Sequence, residues 1–215
     1  MQDELVVAAH TLARHGLVTA FGHVSRRVAN TVTITSPAAL GTITVNDLRE
    51  IDLGVDSLPT DVPPEAWVHL EIYRKRPDVR AIARAMPPSA FAAAAVTREV
   101  PALHGQACWL GAGLPVHPVP LLLRTPQLAH AAATTLGTGS AILLRGNGAV
   151  TVGDSPGLAV ARMWLVEARC DTWLRATATG SPQTLSAEEV SAWQAPAGTL
   201  LPRLWDHLRA APAQQ

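Results

Sequence analysis

An α/β fold built on an antiparallel or mixed sheet is the class this sequence predicts, and three observations predict it. Long stretches carry apolar residues at helical spacing, and short stretches of two-residue alternation stand in neighbouring pairs separated by turn residues. Helices and strands also fail to alternate in the strict order of a doubly wound parallel sheet.

From Glu4 to His15, Leu5, Ala8, Ala9 and Leu12 recur at helical spacing, and Gly16 provides a stop. Residues 24–28 and 31–35 read as two strands around Asn30; Thr31, Thr33 and Thr35 alternate against Val32 and Ile34, so this hairpin has one polar face. Asp47 to Leu58 reads as a turn-rich connection. Pro63 and Pro64 then open a helix running to about Arg76, because proline is tolerated in a first helical turn. Val79 to Ala85 reads as a buried strand, and Pro87, Pro88 and Ser89 start an alanine-rich helix that ends before Pro101. Leu110 to Val119, broken by Gly111, Gly113, Pro115 and Pro118, reads as a loop and a short strand. Thr125 as N-cap, Pro126 at the first helical position and Gly137 at the end delimit a helix. "AILLRGNGAVTVG" follows as two strands about Gly146-Asn147-Gly148. Ser155 and Pro156 begin the longest helix, with Leu158, Ala161, Leu165, Ala168 and Leu174 on one pattern as far as about Thr177. Ser186 followed by Glu189 is a capping box for a last short helix, after which "APAGT" loosens the tail.

A chain of 215 residues suits one domain, here with a C-terminal helical extension over about 179–215. Lys plus Arg and Asp plus Glu both number 17, so no charge excess points to nucleic acid or an anionic membrane. The basic runs Arg26-Arg27 and Arg74-Lys75-Arg76 are short and fit a solvated face or a subunit contact. Cys108 and Cys170 lack metal or redox spacing and read as small buried hydrophobes. The N-terminus is acidic where a signal peptide would be basic and apolar, and no stretch has the length and flanks of a membrane span, so a cytoplasmic protein is expected. Six tryptophans beside two phenylalanines and one tyrosine suit a packed helix layer or an oligomer interface.

Among the polar groups, Glu65 and His69 lie four residues apart on one helix face, with Tyr73 one turn further. Glu65 is an acid/base candidate by this pattern, which equally fits a first-turn glutamate favoured by the helix dipole. In "FGHVSRR", His23 follows a glycine and Ser25 can donate to an anion, a composition that a surface turn also uses. His104 and His117 flank a loop rich in glycine and proline, and Asn147 between two glycines fits either a projecting site residue or an Asx turn. His23, His69, His104 and His117 together carry no local metal-ligand spacing.

Three segments, "GLVTAFGHVSRR", "PEAWVHLEIYRKRPDVRAIARAMPPSA" and "AILLRGNGAVTVGDSPGLAVARMWLVEARC", together resemble the class II aldolase and adducin family over roughly residues 4–178. The "GHVS" form, with "PALHG" further on, looks like the branch of pyridine-dicarboxylate decarboxylases more than that of sugar-phosphate aldolases, which usually show asparagine where His23 stands. The resemblance implies a three-layer domain with a central mostly antiparallel sheet flanked by helices, in a homotetramer with sites at subunit boundaries. The segment around Trp193 and Trp205 is then a candidate to complete a neighbour's site. It also implies a divalent metal on a His-x-His pair and a third histidine, with a glutamate as acid/base. Glu65 matches that glutamate, whereas the pair falls on Arg84 and Met86 and the third ligand on Asn147. The serine-rich phosphate turns of the family are missing too: "TSPAAL" lacks the glycine after its serine, and Asp61 to Pro64 replaces the serines before Glu65.

Arginine stays protonated, thioether sulfur suits hard cations poorly, and one neutral amide oxygen holds such an ion weakly. The resemblance with its replaced ligands therefore implies a metal-independent, cofactor-free lyase acting by decarboxylation, elimination, dehydration or isomerisation on a small oxo or aromatic carboxylic acid. Arg84 would hold the substrate carboxylate, Glu65 move a proton and His23 orient the substrate, with Ser25, His69, Tyr73, His104 and Asn147 as binding groups. The alternative is an inactive aldolase-fold protein used for binding or assembly, in which Arg84 only neutralises Glu65. A metal relocated to His23, His69, His104 or His117 is a third possibility.

Overall fold

The computed structural model describes residues 3–210. Helix α1 (Glu4–Arg14) leads into strands β1 (His23–Val28), β2 (Thr31–Thr35) and β3 (Leu48–Asp52). Helix α2 (Ala66–Lys75), β4 (Ala81–Ala85), α3 (Pro88–Val96), β5 (Glu99–Pro101) and β6 (Gly113–His117) follow. Then come α4 (Pro126–Leu136), β7 (Ala141–Leu144), β8 (Gly148–Gly153), α5 (Pro156–Thr179), α6 (Ala187–Gln194) and α7 (Ala197–Ala210). The strands form one sheet in the order β3-β2-β1-β4-β8-β7-β6-β5, antiparallel throughout except for the parallel pair β6 and β7.

Two-residue alternation divides the central strands between two cores. In β4 the small residues Ala81, Ala83 and Ala85 meet Leu5 and Leu12 of α1, Ala90 of α3 and Val160, Met163 and Leu165 of α5. Ile82, on the other face, packs with Val68, Leu70 and Ile72 of α2 and with Ala129 and Ala132 of α4. The result is three layers, with α1, α3, α5 and α7 on one side and α2 and α4 on the other. Arg84, two residues after Ile82, stands on the α2 side. In β1, Val24 belongs to the first core, so His23 and Ser25 share Arg84's face, and His23 is the direct cross-strand partner of Arg84.

The chain departs from its sequence pattern in three places. The expected turn-rich region 47–58 contains β3, an edge strand whose sequence LREID buries only Ile51. The alanine-rich helix ends before Pro101 as expected, at Val96, but Glu99–Pro101 forms an additional strand that pairs with β6. The "APAGT" segment does not loosen the tail: α7 starts inside it and runs 14 residues with Pro202 in its interior. Leu201 and Leu208 anchor α7 in the first core, and the Arg14 guanidinium donates to the carbonyls of Leu208 and Arg209 near its end. Residues 211–215 of the expected extension lie outside the described residues.

Trp193 and Trp205 both pack on their own chain. A methyl group at Gly105 would run into the Trp193 ring and one at Gly157 into the Trp205 ring, and the Trp109 indole N–H donates to the Trp193 carbonyl at 2.9 Å. Cys108 and Cys170 are buried and unpaired. No helix among the described residues is long and apolar enough to cross a membrane.

Candidate active site

Helix α2 begins after the paired prolines and not at them, so Glu65 is its N-cap residue, and its side chain makes no cap hydrogen bond. It turns instead toward β4 and the β7–β8 turn. Glu65 Oε1 accepts from Asn147 Nδ2 at 2.7 Å and from the Leu123 N–H at 3.2 Å, while Oε2 lies 3.2 Å from Arg84 Nη2. The same Nη2 donates to the backbone and side-chain oxygens of Asn147. Burial lowers the Arg84 pKa from its ordinary value and the carboxylate of Glu65 opposes the shift. A buried guanidinium without a partner carboxylate would be costly, so these contacts are what make Arg84 tenable on a central strand.

The β7–β8 turn is built to deliver Asn147. Gly146 and Gly148 take φ values of 70° and 81°, a region that disfavours side chains, and a Cβ on Gly148 would collide with the Ala85 carbonyl. The Asn147 amide does not close an Asx turn; both its ends engage Arg84 and Glu65. Met86, by contrast, lies past the end of β4, where its N–H donates to the Leu17 carbonyl at 2.9 Å, and it does not line the cavity.

That cavity, about 180 Å³, is lined by Glu65, Arg84 and His23 together with Phe21, Pro37, Pro63, Pro64 and Arg124. Phe21 and the prolines supply its apolar lining, and Glu65, Arg84, His23 and Arg124 its polar lining. Arg124 forms no ion pair and no side-chain hydrogen bond among the described residues, whereas the charge of Arg84 is matched by Glu65. Arg124 is a charged lining group that the sequence pattern did not mark. It sits immediately before the N-cap of α4, where nothing local distinguishes it from a surface charge.

His23, Ser25, His69 and Tyr73 come together behind the cavity. His23 Nδ1 is 2.7 Å from His69 Nε2, His69 Nδ1 is 2.6 Å from Ser25 Oγ, and Ser25 Oγ is 2.8 Å from the Tyr73 hydroxyl. Ser25, His69 and Tyr73 are fully buried, so of these four only His23 lines the cavity. The other three support His23 where substrate contact was expected of them. Burial, followed by the neighbouring charge of Arg84, brings the His69 pKa down to about 3. His23 is lowered in the same direction by burial, His69 and Arg84, and burial raises Tyr73.

His104, expected among the substrate-binding groups, does not join them. It follows β5 at the sheet edge, four strand positions from β4, and opens the 3₁₀ turn Gly105–Leu110. Its glycine-rich surroundings mark a loop without saying where that loop goes. His117 ends β6, with Nδ1 2.9 Å from Thr135 Oγ1. The four histidines therefore do not converge, and among the described residues no three His, Cys, Asp or Glu side chains group closely enough to hold a metal ion.

The family model for the class II aldolase and adducin N-terminal domain matches residues 3–174. The 3,4-dihydroxyphthalate decarboxylase of Arthrobacter keyseri is 27% identical over 201 residues, covering 83% of this chain and 79% of the relative. Its counterpart of the same name from Terrabacter sp. (strain DBF63) is 28% identical over 203 residues, covering 86% and 85%. Among solved structures, L-fuculose-1-phosphate aldolase from Thermus thermophilus superposes with a TM-score of 0.76 at 26% identity, over 84% of this chain and 96% of that one. With the three-layer architecture and a model match spanning most of its length, the chain belongs to the class II aldolase and adducin family.

Proposed function

We propose that this protein is a metal-independent lyase that decarboxylates a small hydroxylated aromatic acid. The observation that carries the proposal is the Glu65–Arg84–Asn147 cluster, a guanidinium held between two partners on the wall of an apolar-sided cavity. The family resemblance assigns Arg84, Met86 and Asn147 to the positions of metal-binding histidines. These side chains do not fit a divalent cation: the guanidinium offers charge and no lone pair, the Asn147 amide is engaged by its neighbours, and Met86 lies outside the cavity. The decarboxylase relatives support the reaction type.

Arg84 Nη2 is engaged by Glu65 and Asn147, while Nη1 has no partner among the described residues and is not sealed from solvent. Arg84 is thus suited to stabilise a developing oxyanion, and the uncompensated Arg124 is the group that meets the substrate carboxylate. Phe21 and the three prolines flank the ring. The Glu65 carboxylate takes the proton of a ring hydroxyl, and the resulting phenolate oxygen rests on Arg84. Glu65 then delivers that proton to the ring carbon bearing the carboxylate. The carbon–carboxylate bond breaks and CO2 leaves; the bonding pair restores the ring as a phenolate, which takes a proton from water on release.

One observation favours a second reading, that of an inactive binding scaffold: Arg84 and Glu65 already neutralise each other. A panel of hydroxylated benzoates and phthalates, followed by chromatography for the product lacking one carboxyl group, separates the two. The proposal expects turnover that Glu65→Gln abolishes. Ligand-induced thermal stabilisation without any product across the panel would establish the binding scaffold instead.

A further inference from the structure

The four side chains behind the cavity form one unbranched hydrogen-bonded line, His23–His69–Ser25–Tyr73, and the supply of protons along it can be counted. Each neutral imidazole carries one N–H and each hydroxyl one O–H. If the Tyr73 hydroxyl donates to Ser25, the Ser25 hydroxyl donates to His69 Nδ1 and His69 Nε2–H donates to His23 Nδ1. Every hydrogen then has an acceptor. Reversing the line makes His23 Nδ1–H donate to His69 and His69 Nδ1–H donate to Ser25. Either the Ser25 or the Tyr73 hydroxyl hydrogen is then left without an acceptor, because neither oxygen has another partner among the described residues. Both hydroxyl-bearing residues are fully buried, so water does not offset the loss. A stranded buried hydroxyl disfavours the reversed line by roughly tenfold or more.

We propose that His69, Ser25 and Tyr73 are positioning residues that lock His23 in a single neutral tautomer, with its hydrogen on Nε2 and presented to the cavity as a fixed donor. Nε2 is the end of the line: it has no partner among the described residues, it is not sealed from solvent, and His23 lines the cavity. Cross-strand pairing sets His23 opposite Arg84, so the imidazole N–H and the free Arg84 Nη1 form a pair of donors on one wall.

The lock also limits what His23 can do. Its Nδ1 lone pair is occupied by His69, and loss of the Nε2 proton would have to be made good down the line by Tyr73, leaving a buried tyrosinate. Burial raises the Tyr73 pKa and opposes that outcome. His23 therefore donates a hydrogen bond and does not transfer a proton, which leaves proton transfer to Glu65. The tautomer stands on geometry alone. Its use as a second oxyanion donor beside Arg84 rests on the decarboxylase reading.

Nitrogen-15 NMR of the imidazole rings in the full-length protein tests both parts. With no ligand, His23 and His69 are each expected to show a protonated Nε2 and an unprotonated Nδ1 at about pH 6 to 8. Ser25→Ala, which removes the hydroxyl donor to His69, is expected to weaken the preference and give a mixture of His23 tautomers. A His23 ring protonated on Nδ1, or on both nitrogens, would overturn the lock whether or not the protein has catalytic activity. Titration with phthalate, an unreactive anion, is then expected to shift the His23 Nε2–H resonance. An unmoved resonance at phthalate concentrations that stabilise the protein thermally would overturn the donor role even if turnover has been demonstrated.

Discussion

Two arginines, Arg84 and Arg169, are almost completely buried, and the contrast between them separates a site from a staple. Arg84 is 2% exposed and Arg169 is 1% exposed. Arg169 donates to the backbone carbonyls of Val100, Ala107, Gly111 and Ala112, all within the stretch from β5 to β6, and pins that stretch to α5. Burial lowers its pKa to about 10. The partners of Arg84 come from two distant segments, and one is a carboxylate on a cavity wall. A buried charge is thus no sign of function by itself; where its partners originate and what remains free on it decide the matter.

The largest effect expected from this contrast is on folding. Arg169→Met leaves carbonyls of the β5–β6 stretch without donors and is expected to cost about 3–5 kcal/mol in chemical denaturation, with the turnover of the remaining folded molecules unchanged. Equal loss of turnover and stability would erase the distinction between the two residues. Arg84→Met is expected to do the reverse, lowering kcat by roughly 10²–10³-fold while thermal unfolding shows a folded protein. A variant with unchanged kcat would reduce Arg84 to a counter-ion for Glu65.

Smaller effects sharpen the assignment. Arg124→Gln is expected to weaken binding of phthalate about tenfold and that of uncharged catechol hardly at all, measured by calorimetry, since one charge-assisted contact is removed. Equal losses for both ligands would remove Arg124 from anion recognition. A further effect, gradual because it is spread over several pH units, concerns pH. In the unfolded chain His69 takes up a proton near pH 6.5, but the folded value is about 3. Between those values the unfolded state binds more protons, so stability is full above the upper value and falls as pH drops through the window. In His69→Gln, whose amide can donate to His23 and accept from Ser25, the slope of stability against pH is expected to be shallower by about 1.4 kcal/mol per pH unit. Parallel curves for the two proteins would mean that His69 is not held neutral.

Much of this arrangement was legible in the sequence because two periodicities mark it. His23 and Ser25 are spaced for one face of a strand, and Glu65, His69 and Tyr73 for one face of a helix. What the spacing does not convey is that these two faces meet, which depends on β1 lying beside β4 under α2. No sequence pattern marks Arg124, because it is 59 positions from Glu65 and its loop reaches the site through tertiary contacts such as the Leu123 N–H on the Glu65 carboxylate. None marks Arg169, because a helix sequence does not reveal which carbonyls will surround it. His104 stands in a loop whose composition carries no address, and α7 is masked in the sequence because Pro202 and Gly198 outweigh its amphipathic pattern when propensity alone is weighed.

In the proposed reaction Arg84 supplies the positive charge for a decarboxylation that needs no bound metal ion. Release of labelled CO2 from carboxyl-labelled dihydroxyphthalate, measured on protein dialysed against chelator and again after addition of zinc or manganese, tests it most directly. The same turnover is expected in both samples, with its loss in Arg84→Met. Turnover that vanishes with the chelator and returns with the metal would contradict it.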